Sequence, residues 1–196
     1  MPGLGALLPL MLLATALAAP ARAAPPVVAA ASDLQFALAE IATAFTRDTG
    51  AEVRLAFGSS GNFRRQIAQG APFELFLSAD ETYVDALVAE GRTVDRGVRY
   101  ARGRLVLFVP AGSPLKPDPT LADVKAAAAD GRLTRLAIAN PEHAPYGRAA
   151  REALQRAGAW DAVAPRLVLG ENVSQAAQFA TSGGAQGGIF AYSLAL

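Results

Sequence analysis

Hydroxyl and glycine residues recur in this sequence where a predicted strand gives way to a predicted helix. The five junctions are Ser32 and residues 59–61, 78–80, 145–147 and 172–174. In an open α/β sheet, ligands bind outside the carboxyl ends of the strands, next to the amino ends of helices. A helix amino end offers unpaired N–H donors and the positive end of the helix dipole. The junctions therefore predict an oxyanion site that is built from neutral donors.

The same residues also have a purely structural interpretation. Ser32 and Ser60 are suitable helix N-caps, and each cap is worth ~1 kcal/mol without any ligand. Asp80 is interpreted as a cap too, and its charge disfavours contact with an anion. Asp33 follows Ser32 and disfavours an anion as well, unless its side chain points away. Capping and anion binding are compatible, so both interpretations stay open at this point.

A site made only of donors selects for the protonation state of its ligand. A protonated oxyanion presents a hydrogen that finds no acceptor, which costs about 1–3 kcal/mol. Molybdate, tungstate and sulfate therefore suit such a site better than hydrogen phosphate does. Sulfate or another divalent oxyanion is the alternative ligand.

Two other classes of function are weighed against binding. A hydrolase could use Ser60 with the single histidine, His143, but "GSSG" is not the G-x-S-x-G elbow and no acid is evidently placed to orient His143. The effector domain of a transcription regulator shares a two-lobe plan, but the sequence shows no helix-turn-helix segment. We therefore predict that the chain is not an enzyme.

Composition limits the chemistry further. A chain of 196 residues is long enough for one ordinary domain or two small ones. Of these residues, 52% are hydrophobic and 18% are charged. The absence of cysteine excludes disulfides and thiolate metal sites, and one histidine excludes a histidine-rich metal site. Arginines are scattered and the formal net charge is +1, so no nucleic-acid partner is expected.

The amino terminus has the pattern of an export signal. An apolar run from Leu4 to about Ala19 precedes the small-x-small sequence at residues 21–23. Residues 1–23 are therefore predicted to be a signal peptide. Their removal takes away Arg22 and no acid, which leaves 17 basic and 17 acidic residues. A neutral, cysteine-free, exported chain is expected in the bacterial periplasm.

Hydrophobic periodicity predicts alternating strands and helices, which is typical of mostly parallel sheets flanked by helices. In the first half, we predict strands at 27–31, 53–57 and 75–78 and helices at about 33–50, 61–69 and 83–91. In the second half, we predict strands at 105–110, 136–139, 167–169 and 188–191 and helices at 121–129, 148–157 and 173–179. This alternation of strands and helices predicts two lobes, lobe 1 at residues 24–104 and lobe 2 at residues 105–196.

Four segments together resemble a known family. They read "VAAASDLQFALAEIATAF", "FGSSGNFRRQIAQGAPFELFLSAD", "NPEHAPYGRAAREALQRAGAWDAV" and "LVLGENVSQAAQFATSGGAQGGIFAYS". In this order and spacing they look like the periplasmic molybdate-binding proteins of bacterial ABC importers. The resemblance covers nearly the whole chain after residue 23.

The resemblance implies a two-lobe α/β fold, the type II periplasmic-binding-protein plan, which closes around an oxyanion. When the family's ligand contacts are transferred to the matching positions of this sequence, they are the hydroxyls of Ser32 and Ser60 and the backbone amides of Tyr146 and Val173. Tyr192 is the weaker match for a fifth contact. The metal is expected only as the molybdate or tungstate oxyanion held by these residues, with no cofactor. The implied partner is a membrane-embedded ABC permease, and a monomer is expected.

One feature departs from the family pattern. Members usually continue for a few dozen residues that return to lobe 1, and this C-terminal return segment is missing from the chain. The chain is therefore interpreted as truncated, with impaired binding as an alternative outcome. An unpaired strand edge and exposed apolar surface are expected on lobe 1.

Overall fold

The computed structural model describes residues 24–196 as two α/β layers, each with its own sheet. The predicted signal peptide, residues 1–23, lies outside the described residues. The two-lobe α/β fold predicted from the sequence is confirmed. The boundary between the lobes at residues 104 and 105 stays a prediction, although the first strand of the second sheet begins at Leu105.

The first sheet is entirely parallel and has the strand order β2-β1-β3. Its strands are β1 (Val27–Ala31), β2 (Arg54–Gly58) and β3 (Leu75–Leu77). A 3₁₀ turn at Ser32–Leu34 follows β1, and the helices are α1 (Gln35–Thr49), α2 (Ser60–Ala68) and α3 (Glu81–Ala89). Each strand leads into a helix, which is the arrangement that places helix amino ends at one edge of a sheet.

The second sheet has four strands in the order β4-β7-β5-β6. Its strands are β4 (Leu105–Phe108), β5 (Leu136–Ala139), β6 (Leu167–Gly170) and β7 (Gly188–Ala191), and β4 runs antiparallel to β7 while the other pairs are parallel. The helices are α4 (Ala122–Asp130), α5 (Pro145–Arg156), α6 (Trp160–Val163) and α7 (Val173–Thr181). 3₁₀ turns lie at Ala164–Arg166 and Tyr192–Leu194.

Helix α5 begins earlier than its apolar spacing predicts. The sequence pattern predicts a loop at residues 140–147, but the helix begins at Pro145. Proline fits the first helical position because its missing N–H would have no intrahelical partner there. Helix α6, which the sequence pattern does not predict, has only four residues and is too short for a periodic pattern.

The hydrophobic core lies mainly in lobe 2. Two clusters cover the two faces of its sheet, and β5 is completely buried. In lobe 1, the buried apolar side chains come from β1 together with Phe63 and Leu87. The uneven core means that the two lobes do not contribute equally to stability.

Helix α1 forms as predicted, but none of its residues is buried. Its large apolar side chains are exposed: Phe36 by 62%, Ile41 by 59% and Phe45 by 43%. The apolar spacing of this segment therefore predicts the helix correctly, while the described residues leave its apolar face uncovered. Among residues 24–196, no helix combines the length and hydropathy that a membrane span needs.

Candidate functional site

The strand ends bring four of the five predicted junctions together in two pairs, and the fifth, residues 78–80, follows Leu77 of β3, which pairs with Ala30 of β1. In lobe 1, Ala31 at the end of β1 is paired with Gly58 at the end of β2. The segments that begin with Ser32 and Ser59 therefore leave the sheet side by side. In lobe 2, Ala139 at the end of β5 is paired with Gly170 at the end of β6, so the segments before α5 and α7 are neighbours too. Hydrogen bonds between the lobes then join the two pairs.

Ser32 connects lobe 1 to the start of α7. Its hydroxyl donates to Oδ1 of Asn172 over 3.2 Å and accepts from the backbone N–H of Ser174 over 3.3 Å. The Ser174 hydroxyl in turn donates to the carbonyl oxygen of Ser32 over 2.9 Å. Ser32 is 2% exposed, and its side chain does not cap the 3₁₀ turn that it begins. The predicted capping role is therefore wrong, and the hydroxyl lies against the amino end of α7 instead.

The two serines at the start of α2 have different roles. Ser59 is the N-cap, and its hydroxyl accepts from the backbone N–H of Asn62 over 3.4 Å, so the predicted cap at Ser60 is wrong by one residue. Ser60 is fully buried, and its Oγ accepts from the backbone N–H of Ala79 over 3.0 Å. A hydroxyl also carries one donor. Among the hydrogen bonds of residues 24–196, none uses the hydroxyl proton of Ser60. Ser60 thus keeps a buried donor available.

Tyr146 and Val173 supply backbone amides from lobe 2. Tyr146 is the second residue of α5 and Val173 the first residue of α7. The first N–H groups of a helix have no acceptor within it. Within residues 24–196, no backbone acceptor outside the helices is paired with either amide. Both residues are less than one tenth exposed. Val173 is adjacent to Ser174, whose backbone N–H donates to the Ser32 hydroxyl, so the Val173 amide lies near that serine. The placement of the Tyr146 amide beside the serines stays a prediction.

Asp33 turns its carboxyl towards Tyr146. The Tyr146 hydroxyl donates to Oδ2 of Asp33 over 2.9 Å, while Oδ1 is buried and has no hydrogen-bond partner among the described residues. Burial raises the pKa of Asp33, and the hydrogen bond from Tyr146 lowers it by less. Burial and the charge of Asp33 raise the pKa of Tyr146 in turn. The carboxyl is thus engaged by a tyrosine rather than directed at the serine hydroxyls.

His143 makes a second contact between the lobes. Its Nδ1 lies 2.9 Å from the Ser59 hydroxyl, and its Nε2 lies 3.5 Å from Oε2 of Glu171. The histidine therefore pairs with Ser59 rather than with Ser60. The expectation that no acid would orient His143 is also wrong, because Glu171 is close in space although distant in sequence. Ser59 is 4% exposed and caps α2, so we interpret the three residues as a structural tie.

Gly61 allows the lobes to approach closely at this point. Its backbone N–H donates to the carbonyl oxygen of His143 over 2.9 Å. A Cβ atom on Gly61 would lie 2.5 Å from that oxygen and 2.9 Å from the Tyr83 hydroxyl. The position therefore needs glycine for the approach of the other lobe's backbone.

A groove among the described residues extends from Asp33 and Tyr146 along the side of lobe 1. It has a volume of about 1210 Å³ and is lined by β3, the start of α3, residues 95–104 and Asp33. Tyr146 lines it as well, whereas Ser32, Ser60 and Val173 do not. Tyr192 lines this groove and is 45% exposed. Its backbone N–H donates to the carbonyl oxygen of Arg104 over 2.9 Å. Among the hydrogen bonds of the described residues, none joins Tyr192 to Ser32 or Ser60, and its role as a fifth contact stays a prediction.

The site consists of donors rather than metal ligands. Within residues 24–196, no group of three or more histidine or carboxylate side chains is arranged to hold a metal ion. Sequence reasoning includes Asn172 in a junction and considers His143, but it does not predict their bonds to Ser32 and Ser59 in the other lobe. Asn172 carries a local signal, since asparagine before a helix is a frequent N-cap, and its Oδ1 does accept from the N–H of Gln175 over 3.1 Å.

Comparison with known proteins relates the chain to binding proteins for small solutes. The family model described as bacterial extracellular solute-binding protein matches residues 26–196. The molybdate-binding protein ModA of Rhodobacter capsulatus is 43% identical over 178 residues, covering 90% of this chain and 68% of the relative. The chain thus spans about two thirds of that relative's length.

Solved structures agree with this relation. The periplasmic molybdate-binding protein of Azotobacter vinelandii superposes with a TM-score of 0.73 at 32% identity, covering 85% of this chain and 71% of that one. A structure described as the tungstate ABC transporter from Geobacter sulfurreducens has a TM-score of 0.63 at 15% identity, covering 87% of this chain and 72% of that one. At that identity the second likeness shows the shared fold alone. All three of these proteins are named for binding or transport rather than for an enzymatic reaction.

Proposed function

This chain belongs to the family of bacterial extracellular solute-binding proteins, and we propose that it captures molybdate or tungstate for an ABC importer. In this proposal residues 1–23 direct export, and the rest of the chain acts in the periplasm. The bound oxyanion passes from there to a membrane-embedded permease. The metal is cargo, carried as its oxyanion, and the protein needs no cofactor.

The buried hydroxyl of Ser60 carries the proposal. Its proton has no acceptor among the described residues, although the side chain is fully buried. Buried donors are normally paired, and an unpaired one costs about 1–3 kcal/mol. An oxyanion oxygen would satisfy this donor. The amides of Tyr146 and Val173 supply two more donors from lobe 2, each at the positive end of a helix.

Ser32 would take part by exchanging its partner. Its bonds to Asn172 and Ser174 measure 3.2 and 3.3 Å, which are slightly longer than the usual distances for such hydrogen bonds. A charged oxygen is a stronger acceptor than the Asn172 amide. Donation from Ser32 to an oxyanion would therefore replace a weak contact by a stronger one.

The relatives specify the ligand more narrowly than the geometry does. Neutral donors alone suit any fully deprotonated oxyanion, including sulfate. The molybdate-binding relatives are similar over most of the described chain, at up to 43% identity. Tungstate has the same charge and tetrahedral shape as molybdate, so the proposal includes both.

Titration calorimetry of the purified protein at neutral pH tests the proposal. We expect saturable heat at one site per chain with molybdate and with tungstate, and much weaker binding of sulfate. Equal affinity for sulfate would keep the class of function and change the ligand. No heat with any of the three, from a protein that circular dichroism shows to be folded, would contradict the proposal.

A pair of serine variants tests the assigned contact. Ser60→Ala should weaken molybdate binding about 10- to 100-fold, because a hydrogen bond to a charged group is worth about 1.5–3 kcal/mol. Ser113→Ala is the matched control, since it removes a partly buried hydroxyl bonded to Gln186 at a distant part of lobe 2. Its binding should stay within about twofold of the wild type. Equal affinities for the two variants would rule out Ser60 as a contact.

A further inference from the structure

Arg148 makes a contact between the lobes that the binding site itself does not require. Its guanidinium forms an ion pair with Oδ2 of Asp80, and its Cζ lies 4.8 Å from the centre of the Tyr83 ring. Arg148 belongs to α5 in lobe 2, whereas Asp80 and Tyr83 belong to the start of α3 in lobe 1. The side chains of Arg148 and Asp80 are 31% and 27% exposed, so the pair is partly shielded from water.

The position of this contact connects it to the site. Arg148 follows the Tyr146 amide by two residues on the first turns of α5. Asp80 follows Ala79, whose backbone N–H donates to Ser60. The ion pair therefore joins the segment that carries one proposed contact to the segment that supports another. Separation of the lobes at Arg148 would move these two donors apart.

We propose that Arg148, held by Asp80 and Tyr83, is a positioning residue that keeps the lobes closed and slows release of the bound oxyanion. This inference rests on the proposed function for its ligand, but it makes a separate statement about the lobes. A charge pair that is partly shielded from water is screened less by salt than an exposed pair, and loss of one partner leaves the other charge unpaired. Contacts that form only on closure act mainly on the dissociation rate.

Direct contact between Arg148 and the anion is the competing explanation. In the structure the guanidinium charge is already paired with Asp80 and stacked on Tyr83. The two explanations predict different effects on anion binding when the Asp80 charge is removed. If Arg148 bound the anion directly, loss of the Asp80 charge would free the guanidinium and strengthen binding. If Arg148 acts by closure, loss of either charge weakens binding by a similar factor.

The kinetic test uses Asp80→Asn, Arg148→Gln and the double variant. Asparagine keeps the N-cap of α3, in which Asp80 Oδ1 accepts from the N–H of Thr82 over 2.8 Å, and removes only the charge. We expect each single variant to raise the molybdate dissociation rate about five- to twentyfold, with the association rate changed less than about threefold. The double variant should be no worse than the singles. Arg148→Lys should recover part of the effect, because it keeps the charge and loses the planar fork.

Arg64→Gln is the matched control. Arg64 pairs with Glu90 inside lobe 1, and their side chains are 29% and 39% exposed, close to the values of the Arg148 pair. This variant should leave the dissociation rate unchanged. Tighter binding by Asp80→Asn, additive effects in the double variant, or an equal effect of Arg64→Gln would each overturn the proposal.

A distance measurement without ligand separates this inference from the proposed function. The chain has no cysteine, so spin labels can be attached at Glu40→Cys in α1 and Gln155→Cys in α5 without other changes. We expect Arg148→Gln and Asp80→Asn to lengthen and broaden the distance between the labels, and Arg64→Gln to leave it unchanged. That shift in a protein that binds no molybdate would support the closure role and contradict the proposed function. Unchanged distances would overturn the closure role even if molybdate binds.

Discussion

Lobe 2 and lobe 1 have the same kind of α/β architecture, but they bury unequal amounts of apolar surface. Lobe 2 packs helices on its four-stranded sheet and buries two clusters of apolar side chains. Lobe 1 has three strands, few buried apolar side chains outside β1, and a helix α1 with no buried residue. Hydrogen bonds to the other lobe nevertheless hold the amino ends of both α2 and α7 where the lobes meet.

The difference in buried apolar surface indicates that the two lobes have different roles. The amides of Tyr146 and Val173 are carried by the lobe with the larger core, which holds them in fixed positions. The hydroxyls of Ser32 and Ser60 come from the lobe with the smaller core, where contacts with lobe 2 replace internal packing. We therefore expect lobe 2 to supply most of the stability of the fold and lobe 1 to contribute mainly to the geometry of the proposed site.

The largest expected effect compares one phenylalanine from each lobe. Phe190 in β7 is fully buried, and Phe190→Ala should lower the free energy of unfolding by about 3–5 kcal/mol. Phe36 in α1 is 62% exposed, and Phe36→Ala should change it by no more than about 0.5 kcal/mol. Urea denaturation followed by circular dichroism measures both. Equal losses would mean that the apolar face of α1 is covered in solution and that the two lobes bury similar cores.

The next effect concerns the approach of the lobes at Gly61. A Cβ there would lie 2.5 Å from the carbonyl oxygen of His143, so Gly61→Ala should hold the lobes apart. Overpacking typically costs about 1–3 kcal/mol, which corresponds to a loss of molybdate affinity of roughly 5- to 150-fold. Stability should change less, because alanine is the better helix former by ~1 kcal/mol. Calorimetry and urea denaturation together check this, and unchanged affinity would show that the approach is not needed for binding.

The smallest effect is a pH dependence at Asp33. Burial raises the pKa of this carboxyl in the folded protein, so its contribution to stability is greatest below the unfolded value of about 3.8 and is lost as the pH rises through the folded pKa. Asp33→Asn should therefore be more stable than the wild type at pH 7 and equal to it near pH 3. Glu40→Gln on the exposed side of α1 is the control for loss of a negative charge. An advantage of Asp33→Asn that is the same at both pH values would contradict this explanation.

Much of the fold can be predicted because local patterns determine it. The strands at Val27–Ala31, Leu136–Ala139 and Gly188–Ala191 agree with the predicted bounds. A short continuous apolar run is typical of a parallel strand that is buried on both faces, so these strands can be recognised in the sequence. The apolar spacing of α1 predicts a helix equally well. It does not predict burial, because burial depends on what packs against the helix.

The site is predicted less completely for the same reason. Its donors can be located, because they follow strand ends and begin helices. Their partners are distant in sequence: the Ser32 hydroxyl bonds to Asn172, and His143 lies between Ser59 and Glu171. No local pattern connects these residues, so their pairing appears only when the two lobes meet.

The central claim is that an oxyanion binds between the lobes, at the amino ends of α2, α5 and α7. The most direct test is a crystal structure of the protein with tungstate, recorded at the tungsten absorption edge. We predict one strong anomalous peak, surrounded by oxygens within hydrogen-bond distance of the Ser60 hydroxyl and the amides of Tyr146 and Val173. A peak in the groove beside Asp33 and Tyr192, with none between the helix ends, would contradict the claim.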